Sequence, residues 1–279
     1  MPMAPHTLSI RDLAVEVSGR GGARTVIDGL TLDVPRGRAI ALIGESGSGK
    51  TLTALAVLGL LPRAARVTRG AVLFDGEDVL AAGEERLRAL RGNRIGMVFQ
   101  EPRAALNPLK KVGPQIGEVL RLHKGLGESL VREQVLSLME MVGIADPPRS
   151  YDTYPHQLSS GVLQRVLIAT ALACRPELVI ADEPTSALDA TVQAQILDLL
   201  ARLRRDLRMS MLLITHNVGV VAALADFVAV LHDGRVIEAG DVGEILGKPQ
   251  HPYTRSLLVA GGPGSVGARR RAVMERESP

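Results

Sequence analysis

Gly44-Glu45-Ser46-Gly47-Ser48-Gly49-Lys50-Thr51 follows the pattern G-x-x-x-x-G-K-[ST] in full. These residue types suit the holding of phosphate. Gly44, Gly47 and Gly49 let the backbone curl so that successive N–H groups point inward onto an anion. A helix opening near Lys50 adds the positive end of its dipole. Lys50 is a point charge able to bridge terminal phosphates, and the Thr51 hydroxyl is a ligand for Mg²⁺. A second group lies far along the chain, where the apolar run Leu178-Val179-Ile180-Ala181 ends in Asp182 and Glu183. A strand ending in two acids delivers them to the carboxyl edge of a sheet, where ligands bind. Alternation along a strand predicts that the two acids face different ways. Asp182 is then suited to Mg²⁺, through its water shell. Glu183 is suited to the water that attacks a γ-phosphate, as general base or orienter.

The elements that must hold these groups are legible around them. Ala39–Ile43 is a continuous apolar run of strand length that leads into the loop. Such a run fits a strand buried on both faces, as in a parallel sheet. A helical pattern follows the loop through Leu60. Leu8–Val17 and Val26–Val34 read as strands joined by the Gly-rich turn Ser18–Ala23, and Ile95–Phe99 as a further strand. From Pro102 to about Leu158 the character is helical, with periodic segments at Val112–Leu122 and Glu128–Met141 and a joint at Asp146-Pro147-Pro148. Strands return at Leu178–Ala181, Met211–Ile214 and Phe227–Leu231, with a helix at Ala190–Leu207. This alternation predicts an α/β fold with a doubly wound parallel sheet. From Gly261 the chain is rich in Gly, Pro and charge and is expected to form a flexible tail, with Arg269-Arg270-Arg271 a solvated charged end.

Composition narrows the chemistry. The chain has 279 residues, of which 33 are basic and 30 acidic, a net charge of +3 too balanced to argue for nucleic acid. Aromatic residues make up 2%, with no Trp, three Phe and three Tyr, which argues against a stacking platform for single strands. The single cysteine, Cys174, excludes a disulfide framework or a multi-cysteine metal site within the chain. His156 and His251 lack the close spacing of metal ligands. The first residues show no signal-peptide pattern. No apolar stretch reaches 18 residues; Val218–Leu231 is broken by Asp226, so the chain is not expected to span a membrane by itself.

A phosphate loop is shared by kinases, GTPases and motor ATPases, and no Asn here is followed by Lys as in a guanine-binding motif. Further stretches decide between them. Gln100 follows Val98-Phe99. Leu158-Ser159-Ser160-Gly161-Val162-Leu163-Gln164-Arg165 is similar to an LSGGQ-x-Q-R signature. Ser186-Ala187-Leu188-Asp189 matches a D-loop, and Thr215-His216 a switch histidine. In this order, from about Leu8 to Ala260, the chain resembles the nucleotide-binding subunit of an ATP-binding cassette (ABC) transporter. Taken alone, Gln100 is as readily a solvated loop residue and His216 a helix-start cap.

The resemblance implies a RecA-like P-loop core, an N-terminal antiparallel β subdomain and an inserted helical subdomain at about 101–160, all within an ATPase domain of residues 1–260. It implies ATP and Mg²⁺, with Gln100 coupling metal and γ-phosphate to the helical subdomain, and His216 positioning the attacking water. Two cassettes would close head to tail on two ATP molecules. Ser159, Ser160 and Gly161 of one would then face the γ-phosphate held by the other, with Ser186 and Asp189 in the D-loop.

Two departures stand out. The signature reads LSSGV, so Ser160 replaces a glycine; where that position needs positive φ or close phosphate approach, a Cβ costs roughly 1 kcal/mol. This predicts that the site built on Lys50 and Glu183 is competent, while the site this signature completes is weaker. The family also stacks adenine on an aromatic residue upstream of the phosphate loop, and no aromatic residue precedes Phe74. Val17 is the positional match, and its aliphatic side chain forgoes stacking worth about 1 kcal/mol.

His251-Pro252-Tyr253-Thr254-Arg255-Ser256-Leu257-Leu258 looks like the HPYT-x-x-L-L element of the oligopeptide/dipeptide/nickel importer branch. Glu101–Leu109 and Tyr154-Pro155-His156-Gln157-Leu158 fit that branch as well. It implies a peripheral subunit on the cytoplasmic face of the cell membrane. Its implied partners are a second and different ABC ATPase chain, two transmembrane permease subunits and an extracytoplasmic binding protein, with no nucleic acid. Short peptides are the first choice of cargo, with nickel or a nickel chelate the alternative. A soluble ABC ATPase and an ATP-binding regulatory subunit are the rival classes.

Overall fold

The computed structural model describes residues 6–19, 21–186 and 188–260. The N-terminal start, Ala187 of the D-loop stretch and the expected tail from Gly261 lie outside the described residues. The elements in chain order are β1 (His6–Gly19), β2 (Gly22–Pro35), β3 (Ala39–Ile43), α1 (Lys50–Val57), β4 (Ala65–Phe74), β5 (Glu77–Asp78), α2 (Glu84–Leu90), β6 (Ile95–Val98), α3 (Pro102–Ala105), α4 (Val112–Lys124), α5 (Glu128–Met141) and α6 (Pro147–Tyr151). They continue with a 3₁₀ turn at Pro155–Gln157, α7 (Ser160–Leu172), β7 (Leu178–Asp182), α8 (Ala190–Leu207), β8 (Ser210–Thr215), α9 (Val218–Leu224), β9 (Phe227–His232), β10 (Arg235–Asp241), α10 (Val242–Gly247) and α11 (Pro252–Ala260). The chain divides into two compact units, one formed by residues up to Ala82 and from Ser210 on, the other by Gly83–Met209.

In the first unit β3 lies between two parallel neighbours. Ala39 to Ile43 pair in step with Met211 to Thr215 of β8, and Ile40 to Ile43 with Phe227 to Val230 of β9. All residues of β3 and β8 are buried. That explains why β3 reads as an unbroken apolar run: a strand covered on both faces has no wet side to alternate toward. β10 pairs antiparallel with β9. A separate antiparallel sheet has the order β2-β1-β4-β5. Its packed face includes Leu8, Ile10, Leu13, Ile27, Leu30 and Phe74, all fully buried. β1 changes register against both neighbours near Asp12, which takes a left-handed φ of 47°. Gly70 opposite has a φ of 94°, and a Cβ there would stand 2.4 Å from the Asp12 carbonyl oxygen.

The second unit joins the parallel pair β6–β7 to a group of helices. Arg94 Nε and Glu177 Oε1, just before those strands, meet at 2.6 Å. Val112, Ile116 and Leu120 form the buried stripe of α4, and Val131, Val135 and Met139 that of α5. The two helices close tightly at Gly117, where a Cβ would lie 2.7 Å from Val131 Cγ1. Arg132 lies over the Tyr151 ring at 4.2 Å. Cys174 is buried, and burial pushes its thiol pKa up.

The expected strands and helices are present with small shifts, and the helix after the phosphate loop ends at Val57 rather than Leu60. β4, β5, α2, β10, α10 and α11 add elements that the hydrophobic pattern did not announce.

Candidate functional site

In the first unit the phosphate loop leaves the carboxyl end of β3. Ile43 pairs with Thr215, so Gly44 and His216 follow neighbouring strands at the same edge. Gly44 is demanded by the sheet itself: a Cβ there would come 2.2 Å from the Leu231 carbonyl oxygen of β9. Gly47 and Gly49 take left-handed φ values of 84° and 108°, which glycine adopts without strain. Gly49 is the N-cap of α1 and provides no side chain to satisfy the first N–H groups of that helix. Thr53 Oγ1 donates to the Gly49 carbonyl at 3.0 Å.

Lys50 is 8% exposed, and its Nζ donates to the Gly44 carbonyl at 2.8 Å and the Glu45 carbonyl at 2.7 Å. A flexible side chain is thereby held inside the loop. Ser48 Oγ is buried without a hydrogen-bond partner. A buried hydroxyl in that position fits an oxygen-rich ligand such as phosphate. Glu45, Ser46, Gly47 and Thr51 are exposed. The residues present therefore fit a phosphate group.

His216 is exposed at the end of β8. It does not cap the helix that follows. Asn217 does, its Oδ1 accepting from Gly219 N at 2.8 Å and Val220 N at 3.3 Å. Thr215 Oγ1 accepts the Asn217 N–H at 3.0 Å. These bonds fix the backbone on the C-terminal side of His216 and leave its imidazole out of the capping. Val17, the adenine-side candidate, is half-buried near the end of β1, opposite Arg24 and Ala65.

A contact with no expectation behind it comes from the last helix. Tyr253 of α11 accepts the Glu45 backbone N–H on its hydroxyl at 3.2 Å. Its ring stacks on His232 at the end of β9, with centroids 3.8 Å apart. Glu238 of β10 holds the start of α11 by accepting from Gln250 N at 2.7 Å and His251 N at 3.1 Å. Burial raises the Glu238 carboxyl, but the hydrogen bonds it accepts outweigh that and leave its pKa below the usual value. The only sequence signal for this arrangement was the HPYT stretch.

In the second unit Asp182 closes β7 and is 3% exposed. Glu183 lies beyond the strand, is 9% exposed, and takes a left-handed φ of 47°. Strand alternation therefore does not decide where Glu183 points, which corrects the basis of that expectation. The turn is closed by Ser186, whose N–H and hydroxyl both donate to the Glu183 carbonyl at 3.2 Å. A non-glycine residue held left-handed costs of order 1–3 kcal/mol. Asp189 is the N-cap of α8, its Oδ1 accepting from Thr191 N at 3.1 Å and Val192 N at 2.9 Å. Gln100 is exposed just after β6, as is Phe99.

Ser159 is the N-cap of α7, its Oγ accepting the Val162 N–H at 3.4 Å. Ser160 is exposed at the first position of that helix and is not among the residues with positive φ. The conformational reason for a glycine at that position is therefore absent here. Gly161 has a different need. A Cβ there would meet Val192 Cγ1 of α8 at 2.7 Å, so its smallness serves helix packing.

A family model described as ABC transporter matches residues 27–186. A peptidoglycan transport ATP-binding protein of Agrobacterium fabrum is 48% identical over 272 residues, covering 96% of this chain and 50% of that protein. The chain thus spans half the length of that relative. A dipeptide transport ATP-binding protein of Bacillus subtilis is 45% identical over 252 residues, 90% of this chain and 75% of the relative. Among solved structures, a dimeric ATP-binding cassette in a post-hydrolysis state with ADP and Pi is 26% identical with a TM-score of 0.76, over 84% of this chain and 98% of that one. CbiO1 of Clostridium perfringens, part of an ABC transporter complex, has a TM-score of 0.74 at 26% identity, covering 97% of this chain and 99% of its own. These likenesses bear out the α/β P-loop fold with its antiparallel N-terminal sheet and helical regions.

Proposed function

The chain belongs to the ABC transporter family, and on that premise we propose that it binds and hydrolyses ATP to power a membrane importer of short peptides. The observation that carries this reading is the loop around Lys50: a glycine-built cradle at a sheet edge, with its lysine held inside and His216 leaving the neighbouring strand. The names of the relatives speak of dipeptide and peptidoglycan transport, which favours peptides over nickel as cargo.

The residues divide the work. Backbone N–H groups of the loop between Ser46 and Thr51, at the start of α1, hold the phosphates, and Lys50 neutralises their charge. Glu183 orients the attacking water and takes its proton, and His216 positions the γ-phosphate. Gln100 senses the state of the site. Thr51, Asp182 and Gln100 present the oxygen donors that Mg²⁺ prefers, and such an ion would supply charge neutralisation at the transferring phosphate. Ser159, Ser160 and Gly161 belong to the surface that meets the ATP of a second cassette, a different chain, with Ser186 and Asp189 alongside. Ser159 is suited to this because a helix N-terminus attracts anions. The ATPase domain runs to about residue 260, with residues 101–160 as its helical subdomain.

No helix among the described residues is long and apolar enough to cross a membrane. Attachment to two permease subunits at the cytoplasmic face, fed by an external binding protein, is the arrangement this reading requires. The test is the assembled complex. Turnover rises when a peptide-loaded binding protein is added, and mass spectrometry of its ligand identifies the cargo. Glu183→Gln in this subunit alone lowers turnover, because this subunit's own site is the competent one. Unchanged turnover in that variant, or stimulation by nucleic acid in place of the membrane partners, overturns the proposal.

A further inference from the structure

The Gly44–Glu45 peptide is gripped from both sides. Its carbonyl, that of Gly44, accepts Lys50 Nζ at 2.8 Å, and its N–H, that of Glu45, donates to the Tyr253 hydroxyl at 3.2 Å. No peptide in the described residues is cis, and in a trans peptide the C=O and N–H point in opposite directions. Lys50 and Tyr253 therefore fix the orientation of one peptide plane from its two ends. Lys50 acts from inside the loop. Tyr253 acts from outside, from a helix 208 residues further along the chain.

Tyr253 is itself held. Its ring rests on His232, its N–H donates to His251 Nδ1 at 3.2 Å, and Glu238 secures the residues just before it. Thr254 and Leu257 bury the helix against the unit. The loop residues nearest the contact, Glu45, Ser46 and Gly47, are exposed and have little packing of their own to set their orientation.

We propose that Tyr253 is a positioning residue of the nucleotide site: it locks the Gly44–Glu45 peptide so that the phosphate loop is preorganised for ATP, and so makes ATP affinity depend on the docking of α11. The inference rests on the reading of this loop as the ATP site. A loop ordered before binding gives up less conformational freedom on binding, so the contact is worth affinity rather than chemistry.

The test uses the assembled complex with ATP as the probe. Tyr253→Phe keeps the ring on His232 and removes only the acceptor. One hydrogen bond of ordinary strength predicts a rise in KM for ATP of about two- to tenfold, with kcat within about twofold and the nucleotide-free melting temperature unchanged. Tyr253→Ala, which also removes the stack, raises KM further. Val259→Ala, an exposed change on the same helix, leaves both constants at the wild-type value. Equal KM values for wild type and Tyr253→Phe overturn the proposal, as does a fall in kcat without a change in KM. Failure of the wild-type complex to bind ATP, with Lys50→Ala no different, strikes the reading of the loop itself.

Discussion

Ile43 of β3 stands in register with Thr215 of β8, so the phosphate loop and His216 emerge from adjacent strands of one parallel sheet. Their relative placement is set by backbone pairing that both side chains leave untouched. His216→Ala removes the imidazole while keeping this strand pairing. The expected outcome is a drop in kcat of about 10²-fold, with ATP affinity changed by less than about threefold. Steady-state hydrolysis and equilibrium nucleotide binding check it together. A large loss of affinity would mean that the histidine also supports the loop.

Gly161 offers a separation of packing from phosphate contact. Its missing Cβ accommodates Val192, at a distance where a methyl group forces movement. Gly161→Ala should cost about 1–3 kcal/mol of stability through overpacking. Adding Val192→Ala should return most of it. Urea denaturation of the two variants decides the matter. If the double variant is no more stable than the single one, α7 and α8 do not meet at that point in solution.

Glu238 ties β10 to the start of α11, and its carboxyl is held below its usual range. A carboxyl whose folded pKa is depressed stabilises the fold above its unfolded value, here about 4.5, and loses that contribution as pH falls through the depressed value. The difference in melting temperature between wild type and Glu238→Gln should thus be constant from pH 6 to 8. It should shrink below about pH 4.5. A gap that instead grows on acidification would contradict the assignment.

Val17 carries the expectation of a base held without aromatic stacking. Val17→Tyr should tighten ATP about fivefold, the equivalent of roughly 1 kcal/mol of stacking. In the wild-type chain ATP and GTP should bind within about tenfold of each other, since an aliphatic contact cannot choose between purines. Competition between the two nucleotides measures this directly. Exclusion of GTP by the wild-type chain would show that a different residue reads the base.

Legibility of the fold followed burial. β3 and β8 could be read because strands covered on both faces must be apolar throughout, and α8 because its periodicity runs for eighteen residues. β10, α10 and α11 could not. They are short and largely half-exposed, so little of their pattern is dictated by a core. β4 begins with exposed charged residues and contains Gly70 at a register shift. The site divides in the same way. The loop from Gly44 to Thr51 is legible because phosphate chemistry dictates both residue types and spacing. Glu183 was legible as a residue but not as a conformation, since alternation assumes extended backbone and its φ is 47°. The Tyr253–Glu45 bond joins residues too distant in sequence for any local pattern to pair them.

Cys174 sits buried beside the Val119 carbonyl, and burial pushes its thiol pKa up. Alkylating reagents attack exposed thiolates, and burial with a raised pKa slows that reaction at this sulfur. A cysteine introduced at an exposed position, such as that of Val259 on α11, would thus take a fluorescent or spin label selectively in an otherwise native chain. With no tryptophan background to compete, the same helix could carry an emitting reporter of its environment during turnover.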